Sequence, residues 1–154
     1  MTFIGPILLA LNMFIQAGGA AHGTDDLFSP TEQAQLAAAA NSVNNRIKVY
    51  IKASKRFQSM VQHAVSKNES EAVPGILKLW TSLLNESLED IEASLKEEKK
   101  PKRLKKYEIQ LRKAIKDMED YKISASVDLT DDFEAFLDRA ETVRKRFVEI
   151  LFQH

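Results

Sequence analysis

The sequence has no cysteine, little glycine or proline, and no excess of either charge. Without cysteine, the chain cannot form disulfides, a thiolate metal site, a c-type haem attachment or a lipoprotein anchor. Only 5 glycines and 4 prolines interrupt its 154 residues, which leaves long stretches of helix formers and argues against a β-rich fold. The 22 basic residues balance the 22 acidic ones, which removes the general electrostatic argument for nucleic-acid binding.

The first 21 residues have the order of a secretory signal peptide. Residues 3–15 are almost wholly apolar, residues 16–21 are rich in small side chains, and a polar segment follows. We expect cleavage after Ala21, export to the periplasm or the cell exterior, and a flexible mature N-terminus over residues 22–29. The n-region lacks lysine and arginine, which is atypical of a signal. The alternatives are an uncleaved membrane anchor, which needs about 20 residues, and an unusually apolar soluble N-terminus.

Strong local signals predict two helices in the first part of the mature chain. Ser29, Pro30 and Glu32 form a capping box with a proline at the first helical position. Apolar residues then recur every three or four positions up to Ala64, which is typical of a helix in a bundle. Three asparagines and Ser42 crowd residues 41–45 and compete for backbone hydrogen bonds. We therefore predict a short helix over residues 30–40, a break near Ser42, and a long helix over residues 43–66.

Three more apolar stripes follow, separated by short polar connections near residues 67–70, 98–101 and 126–129. We place Pro74 in the first turn of the second long helix and Thr130 at the N-cap of the fourth. The predicted fold is all-α, an antiparallel up-down four-helix bundle preceded by a short N-terminal helix and the signal segment, with residues 30–154 as one domain. The three stripes consist of Val73, Leu77, Trp80, Leu84, Leu88, Ile91 and Leu95; of Leu104, Tyr107, Leu111, Ala114, Met118, Tyr121 and Ala125; and of Phe133, Phe136, Leu137, Ala140, Val143, Phe147, Ile150 and Leu151.

Charge is segregated along the second half of the chain. Residues 99–116 contain nine basic residues and only Glu108 as an acid, a local charge of +8. Residues 117–141 contain nine acids and two basic residues, a local charge of −7. An up-down bundle places these segments toward opposite ends, which predicts a charge dipole. The basic segment is either a solvated, internally paired surface or a site for an anionic partner such as lipid headgroups, polysaccharide or an acidic protein. The candidate site residues are Lys99, Lys100, Lys102, Arg103, Lys105 and Lys106.

The sequence offers no recognisable catalytic or metal-binding motif. Helical Glu-x-x-His and His-Glu-x-x-His spacings are missing, as are glycine-rich phosphate loops. His63 lies off the apolar stripe and is interpreted as solvated. Four acids of the second long helix, named at the end of this paragraph, are also interpreted as solvated. Trp80 is interpreted as part of the core. We therefore predict no catalytic residue, no metal and no cofactor. The four acids are Glu86, Glu89, Asp90 and Glu92.

Three functional hypotheses remain open at this point. The first is a non-enzymatic binding or structural protein of the cell envelope or exterior that acts through its surface. The second is an extracytoplasmic chaperone or stress-response protein, which predicts a concave apolar surface. The third is a cofactor-binding bundle, which requires polar groups that converge inside the helices; the stripes supply only Tyr50, Ser54, Tyr107 and Tyr121. Nucleic acid is not an expected partner, because the basic segment has no interleaved aromatic residue apart from Tyr107, which lies on the core stripe.

Overall fold

A computed structural model describes residues 27–97 and 100–153, and this part of the chain is all-helical, which confirms the predicted fold class. The predicted signal segment and residues 22–26 lie outside the described residues. Within the described ranges, no helix is long and apolar enough to cross a membrane. The helices are α1 (Pro30–Ala38), α2 (Val43–Ser66), α3 (Val73–Ser94), α4 (Leu104–Ser124) and α5 (Thr130–Phe152), with short 3-10 helices at Ser70–Ala72 and Val127–Leu129.

The break between α1 and α2 follows from side-chain capping. The Ser29 Oγ accepts a hydrogen bond from the Glu32 amide, and the Glu32 carboxylate accepts one from the Ser29 amide, so the predicted capping box is present. Twelve residues after the first helix begins, Ser42 caps α2 by accepting from the Asn45 amide. The predicted break near Ser42 is therefore confirmed.

The predicted N-cap of the last helix is wrong by one residue. Thr130 is the first residue of α5, and Leu129 occupies the N-cap position without a side-chain cap. The reason is the 3-10 helix Val127–Leu129, which runs directly into α5 and buries Leu129. Asp131 and Asp132 still lie in the first turn, where the helix dipole favours negative charge.

The four long helices surround one core, and their order around it differs from the expected one. In the predicted up-down bundle, consecutive helices are neighbours. This is true of α2 and α3 and of α4 and α5. The other close pairs are α2–α4 and α3–α5, so α3 and α4 lie diagonally across the core. Asn44 accepts from the Arg103 amide and Gln58 donates to Asp117, so α2 and α4 run parallel. The connection of residues 95–103 is long enough to cross the end of the core, which permits this arrangement.

The core is aromatic, and its buried polar groups bind one another. Trp80 is fully buried, packs 4.5 Å from Phe136 between ring centroids, and donates from Nε1 to Ser54 at 2.9 Å. The Tyr107 hydroxyl lies 2.8 Å from the Ser87 Oγ and links α3 to α4 across the core. Burial raises the pKa of Tyr107, so its hydroxyl stays neutral. These pairs satisfy interior groups that would otherwise be costly to bury.

A short segment before α1 is anchored on α2, although the sequence places it in the flexible N-terminus. The Leu27 and Phe28 side chains are buried. Arg56 on α2 donates to the Leu27 carbonyl at 2.7 Å and to both carboxylate oxygens of Glu32. Burial acts to raise the pKa of Glu32, but the hydrogen bonds from Arg56 and Ser29 lower it below its ordinary value overall. Arg56 therefore clamps both the N-terminal segment and α1 onto α2.

Candidate functional site

The structure disperses the basic cluster predicted from the sequence. Lys99 lies outside the described residues. Lys100 donates to the Leu151 carbonyl at 2.8 Å and so ties the α3–α4 connection to α5. Lys102 and Lys105 are exposed and do not line the groove described next. Only Arg103 and Lys106 lie beside α2.

Arg103 and Lys106 form one wall of a basic groove between α2 and α4. The groove has a volume of about 240 Å³. Its other wall comes from α2, and Ile51 is its only apolar lining residue among those described. None of its cations forms an ion pair with a described residue. We call this surface the basic groove; it is lined by Lys48, Ile51, Lys52, Lys55, Arg103 and Lys106.

The three lysines that α2 contributes to the basic groove were not among the candidate residues predicted from the sequence. They recur at i, i+4 and i+7 along α2, on the same side of its apolar stripe, and all three are exposed. That spacing indicates a row of basic side chains along one face of α2. Its partner wall was not visible in the sequence, because recognising it requires that α2 and α4 be parallel neighbours. A count of charge along the chain therefore found Arg103 and Lys106 without Lys48, Lys52 or Lys55.

The positive charge of the basic groove is not balanced by ion pairs among the described residues. Like charges four residues apart on a helix repel each other by a few tenths of a kcal/mol. Arg103 also stands at the N-cap of α4, where the helix dipole is positive. The only acid of the basic segment, Glu108, instead faces α5, where it accepts from Arg144 at 3.2 Å. Ligand negative charge would relieve these repulsions, so the groove is chemically suited to an anion.

A second polar cluster joins α2 to α3 and corrects a prediction. Asp90 was expected to be solvated, but it accepts from Arg46 Nε at 2.8 Å, from Arg46 Nη2 at 2.9 Å and from the Tyr50 hydroxyl at 2.6 Å. Burial acts to raise the pKa of Asp90, and the hydrogen bonds from Arg46 and Tyr50 lower it below its ordinary value overall. The sequence could not reveal this, because the partners lie 44 and 40 residues away.

This cluster is a structural junction, although a cavity of about 360 Å³ lies beside it. The remaining guanidinium nitrogen of Arg46 donates to the carbonyls of Ala39 and Ala40 at the end of α1. Each Arg46 nitrogen and both Asp90 oxygens thus have protein partners. Since none of these groups is left to bind or activate a ligand, the basic groove remains the candidate site.

We expect the fold to lose stability in acid. The pKa values of Asp90 and Glu32 are lowered from ordinary values of 3.8 and 4.5. Their stabilising contribution is therefore complete above those values and is lost as the pH falls through the lowered folded pKa. Glu86 partly offsets this loss of stability in acid. Its pKa is raised mainly by burial and to a smaller extent by the charges of Glu89 and Asp90, so protonation of Glu86 favours the folded state.

The measurement is the thermal midpoint followed from neutral pH down to about pH 3, the range over which ordinary carboxyl groups titrate. The variant Asp90→Asn removes one of the carboxyl groups with a lowered pKa, which also include Glu141 beside Arg144. Its thermal midpoint should therefore fall less steeply as the pH decreases. If the thermal midpoint of Asp90→Asn falls as steeply with decreasing pH as that of the wild type, other carboxylates cause the loss of stability.

Comparison with known proteins gives no further indication of the function of the groove. No protein-family model, curated protein or solved structure matches the chain.

Proposed function

We propose that this chain is an exported, non-enzymatic binding protein, a four-helix bundle with a short N-terminal helix, which binds an extended anionic polymer of the polysaccharide class in its basic groove. Export is supported by the apolar segment and small-residue run at the N-terminus. The observation that carries the binding proposal is the convergence of five cations from two helices on one groove, which no carboxylate of the described residues lines.

The shape and composition of the basic groove favour a polysaccharide over the other anionic partners. Lys48, Lys52 and Lys55 follow the helix axis over about 10 Å, which suits a ligand with successive negative charges along a strand. The opposite wall contributes Arg103 and Lys106, so a strand can contact cations on both sides, whereas a flat lipid surface meets only the rim. In the part of the chain that the structure describes, no aromatic side chain lines the groove, so nucleobases would find no stacking partner there.

The packing of the helices weighs against the other two hypotheses. A chaperone would need a concave apolar surface, but the apolar stripes of the described helices are mostly turned into the core. A groove of about 700 Å³ beside α2 and α3 is lined by Met60 and Ile76 together with Arg56, His63 and Glu69. A cofactor site would need several unpaired polar groups that converge inside the bundle. Ser54 and Tyr107 each bond to another side chain, and among the described residues only the side-chain amide of Gln110 is buried without a partner.

Charge reversal on both walls of the basic groove tests the proposal. In the double variant Lys52→Glu/Lys106→Glu, affinity for a sulfated polysaccharide should fall about fivefold to thirtyfold, since two exposed charge contacts contribute about 0.5–1 kcal/mol each. The matched control Lys78→Glu/Lys145→Glu makes the same change in net charge on the exposed surfaces of α3 and α5. Binding is measured by titration calorimetry at low and moderate salt, because screening weakens exposed charge contacts.

Two results would overturn this assignment. An equal loss in the control variant would mean that net charge governs binding and the groove does not. Binding to vesicles of anionic lipid, combined with no binding to the polysaccharide, would show that the class of partner is wrong.

A further inference from the structure

The two ends of the helical array carry opposite charge and the most exposed apolar side chains. Among the described residues, three large apolar side chains are more than three quarters exposed: Ile123 at 81%, Val127 at 85% and Phe152 at 76%. The first two lie where α4 gives way to α5, and the third lies at the opposite end, where α5 finishes. Exposed apolar side chains at both ends and opposite charge around them are features of surfaces that meet a partner.

One end, which we call the acidic end, comprises the α2–α3 and α4–α5 connections. Ile123 and Val127 lie here, with exposed Asp120 and Asp128 near them along the chain. The other connection at this end contributes the exposed Glu71. Lys122 is the nearby base on α4, and its ammonium group lies 3.8 Å from Glu134. At the end of α2, the exposed Lys67 is offset by the exposed Glu69. The acidic end therefore combines two apolar side chains with net negative charge.

The opposite end, which we call the basic end, comprises the α3–α4 connection and the end of α5. Lys96, Lys100 and Lys102 are exposed here, against Glu97 as the one acid among the described residues of the connection. The hydrogen bond from Lys100 to the Leu151 carbonyl holds the connection beside the last turn of α5. Phe152 follows Leu151 in the chain and therefore lies near Lys100. The exposed acid of the same turn, Glu149, is paired with Arg146.

We propose that the acidic end of one copy docks on the basic end of a second copy. Contact would bury Ile123, Val127 and Phe152 and would bring opposite charges together around them. The two surfaces lie at opposite ends of helices about 35 Å long, so two copies cannot satisfy both contacts at once. The contact is heterologous and head to tail, and it generates open chains of varying length instead of a closed dimer. This inference is independent of the polysaccharide proposal, because it uses neither wall of the basic groove.

Charge reversal at each end, followed by mixing, tests this docking. The basic-end variant is Lys96→Glu/Lys100→Glu/Lys102→Glu, and the acidic-end variant is Glu71→Lys/Asp120→Lys/Asp128→Lys. Sedimentation velocity of the wild type at about 0.01 M salt should show a weight-average mass that at least doubles with concentration. At about 0.15 M salt, where the Debye length falls to about 8 Å, the mass should decrease toward that of the monomer. Each variant alone should stay monomeric because its two ends repel each other.

Mixing the two variants in equal amounts should restore association, since each reversed end then meets an end of opposite charge. Helical circular dichroism confirms that both variants are folded. A wild type that stays monomeric at every concentration at low salt would overturn the proposal, as would a mixture that stays monomeric.

The apolar part of the contact has its own test. The variant Ile123→Ser/Val127→Ser should weaken association severalfold, whereas Met60→Ser, which alters an exposed apolar residue on the side of α2, should leave it unchanged. Equal association of all three proteins would contradict an end-to-end contact. The groove variant Lys52→Glu/Lys106→Glu should still associate, which separates failure of this inference from failure of the proposed function.

Discussion

Replacing Arg46 by alanine is expected to lower the free energy of unfolding by about 3 kcal/mol, because it leaves the half-buried Asp90 without its counter-charge. The side chain of Arg46 is 19% exposed and makes a bidentate contact with Asp90, at 2.8 and 2.9 Å. It also donates to the carbonyls of Ala39 and Ala40, so the end of α1 loses its cap in the same variant. A single guanidinium therefore joins α1, α2 and α3.

Urea unfolding of Arg46→Ala, Asp90→Ala and the double variant forms a thermodynamic cycle that isolates the contact between the two side chains. The double variant should be less destabilised than the sum of the single ones, because it no longer buries an unpaired charge. Lys48→Ala, an exposed substitution two residues away on α2, is the matched control and should change stability by less than about 0.5 kcal/mol. If the losses of unfolding free energy in the two single variants add up to that of the double variant, the Arg46–Asp90 ion pair does not contribute to stability.

Replacing Arg56 by alanine is expected to release the N-terminal segment and α1 without unfolding the four long helices. Glu32 is 1% exposed, and Arg56 is the only cation that the structure pairs with it among the described residues. Leaving such a carboxylate unpaired costs about 3 kcal/mol. Because α1 packs mainly on α2, local detachment relieves this cost and global unfolding is not required.

Amide hydrogen exchange distinguishes the local from the global response. In Arg56→Ala, exchange of the α1 amides should accelerate about a hundredfold, which corresponds to about 3 kcal/mol. The amides of α4 and α5 should keep their protection. Lys55→Ala, at the neighbouring exposed position, serves as the control and should leave α1 protected. Uniform acceleration across all five helices would show that α1 is an inseparable part of the main cooperative unit.

Most of the helical structure could be predicted because its causes are local. The capping box at Ser29, the cap at Ser42 and the spacing of apolar side chains all act within a few residues of the chain. The error at Thr130 is also local in origin, since a 3-10 helix took the place of an ordinary N-cap. His63 was correctly predicted to be exposed, because its position relative to the apolar stripe follows from helical periodicity alone.

The candidate site could be predicted only in part. The basic segment of the sequence contains Arg103 and Lys106, but the structure pairs them with lysines more than 45 positions earlier in the chain. Asp90 was misinterpreted as solvated for the same reason, because the Arg46 and Tyr50 side chains that desolvate it belong to another helix. Local sequence reports the charge of a helix face but not the identity of the helix that it meets.

The sequence by itself determined the all-helical character of the described chain, the break at Ser42 and the segregation of charge, since each depends on spacing along one stretch of backbone. Only the tertiary structure decided that α4 lies beside α2 and diagonally from α3. That arrangement creates the basic groove, because it brings the lysines of α2 beside Arg103 and Lys106. The physical reason is that short-range hydrogen bonding and periodicity specify helices, whereas the choice among helix neighbours depends on how whole side-chain surfaces pack.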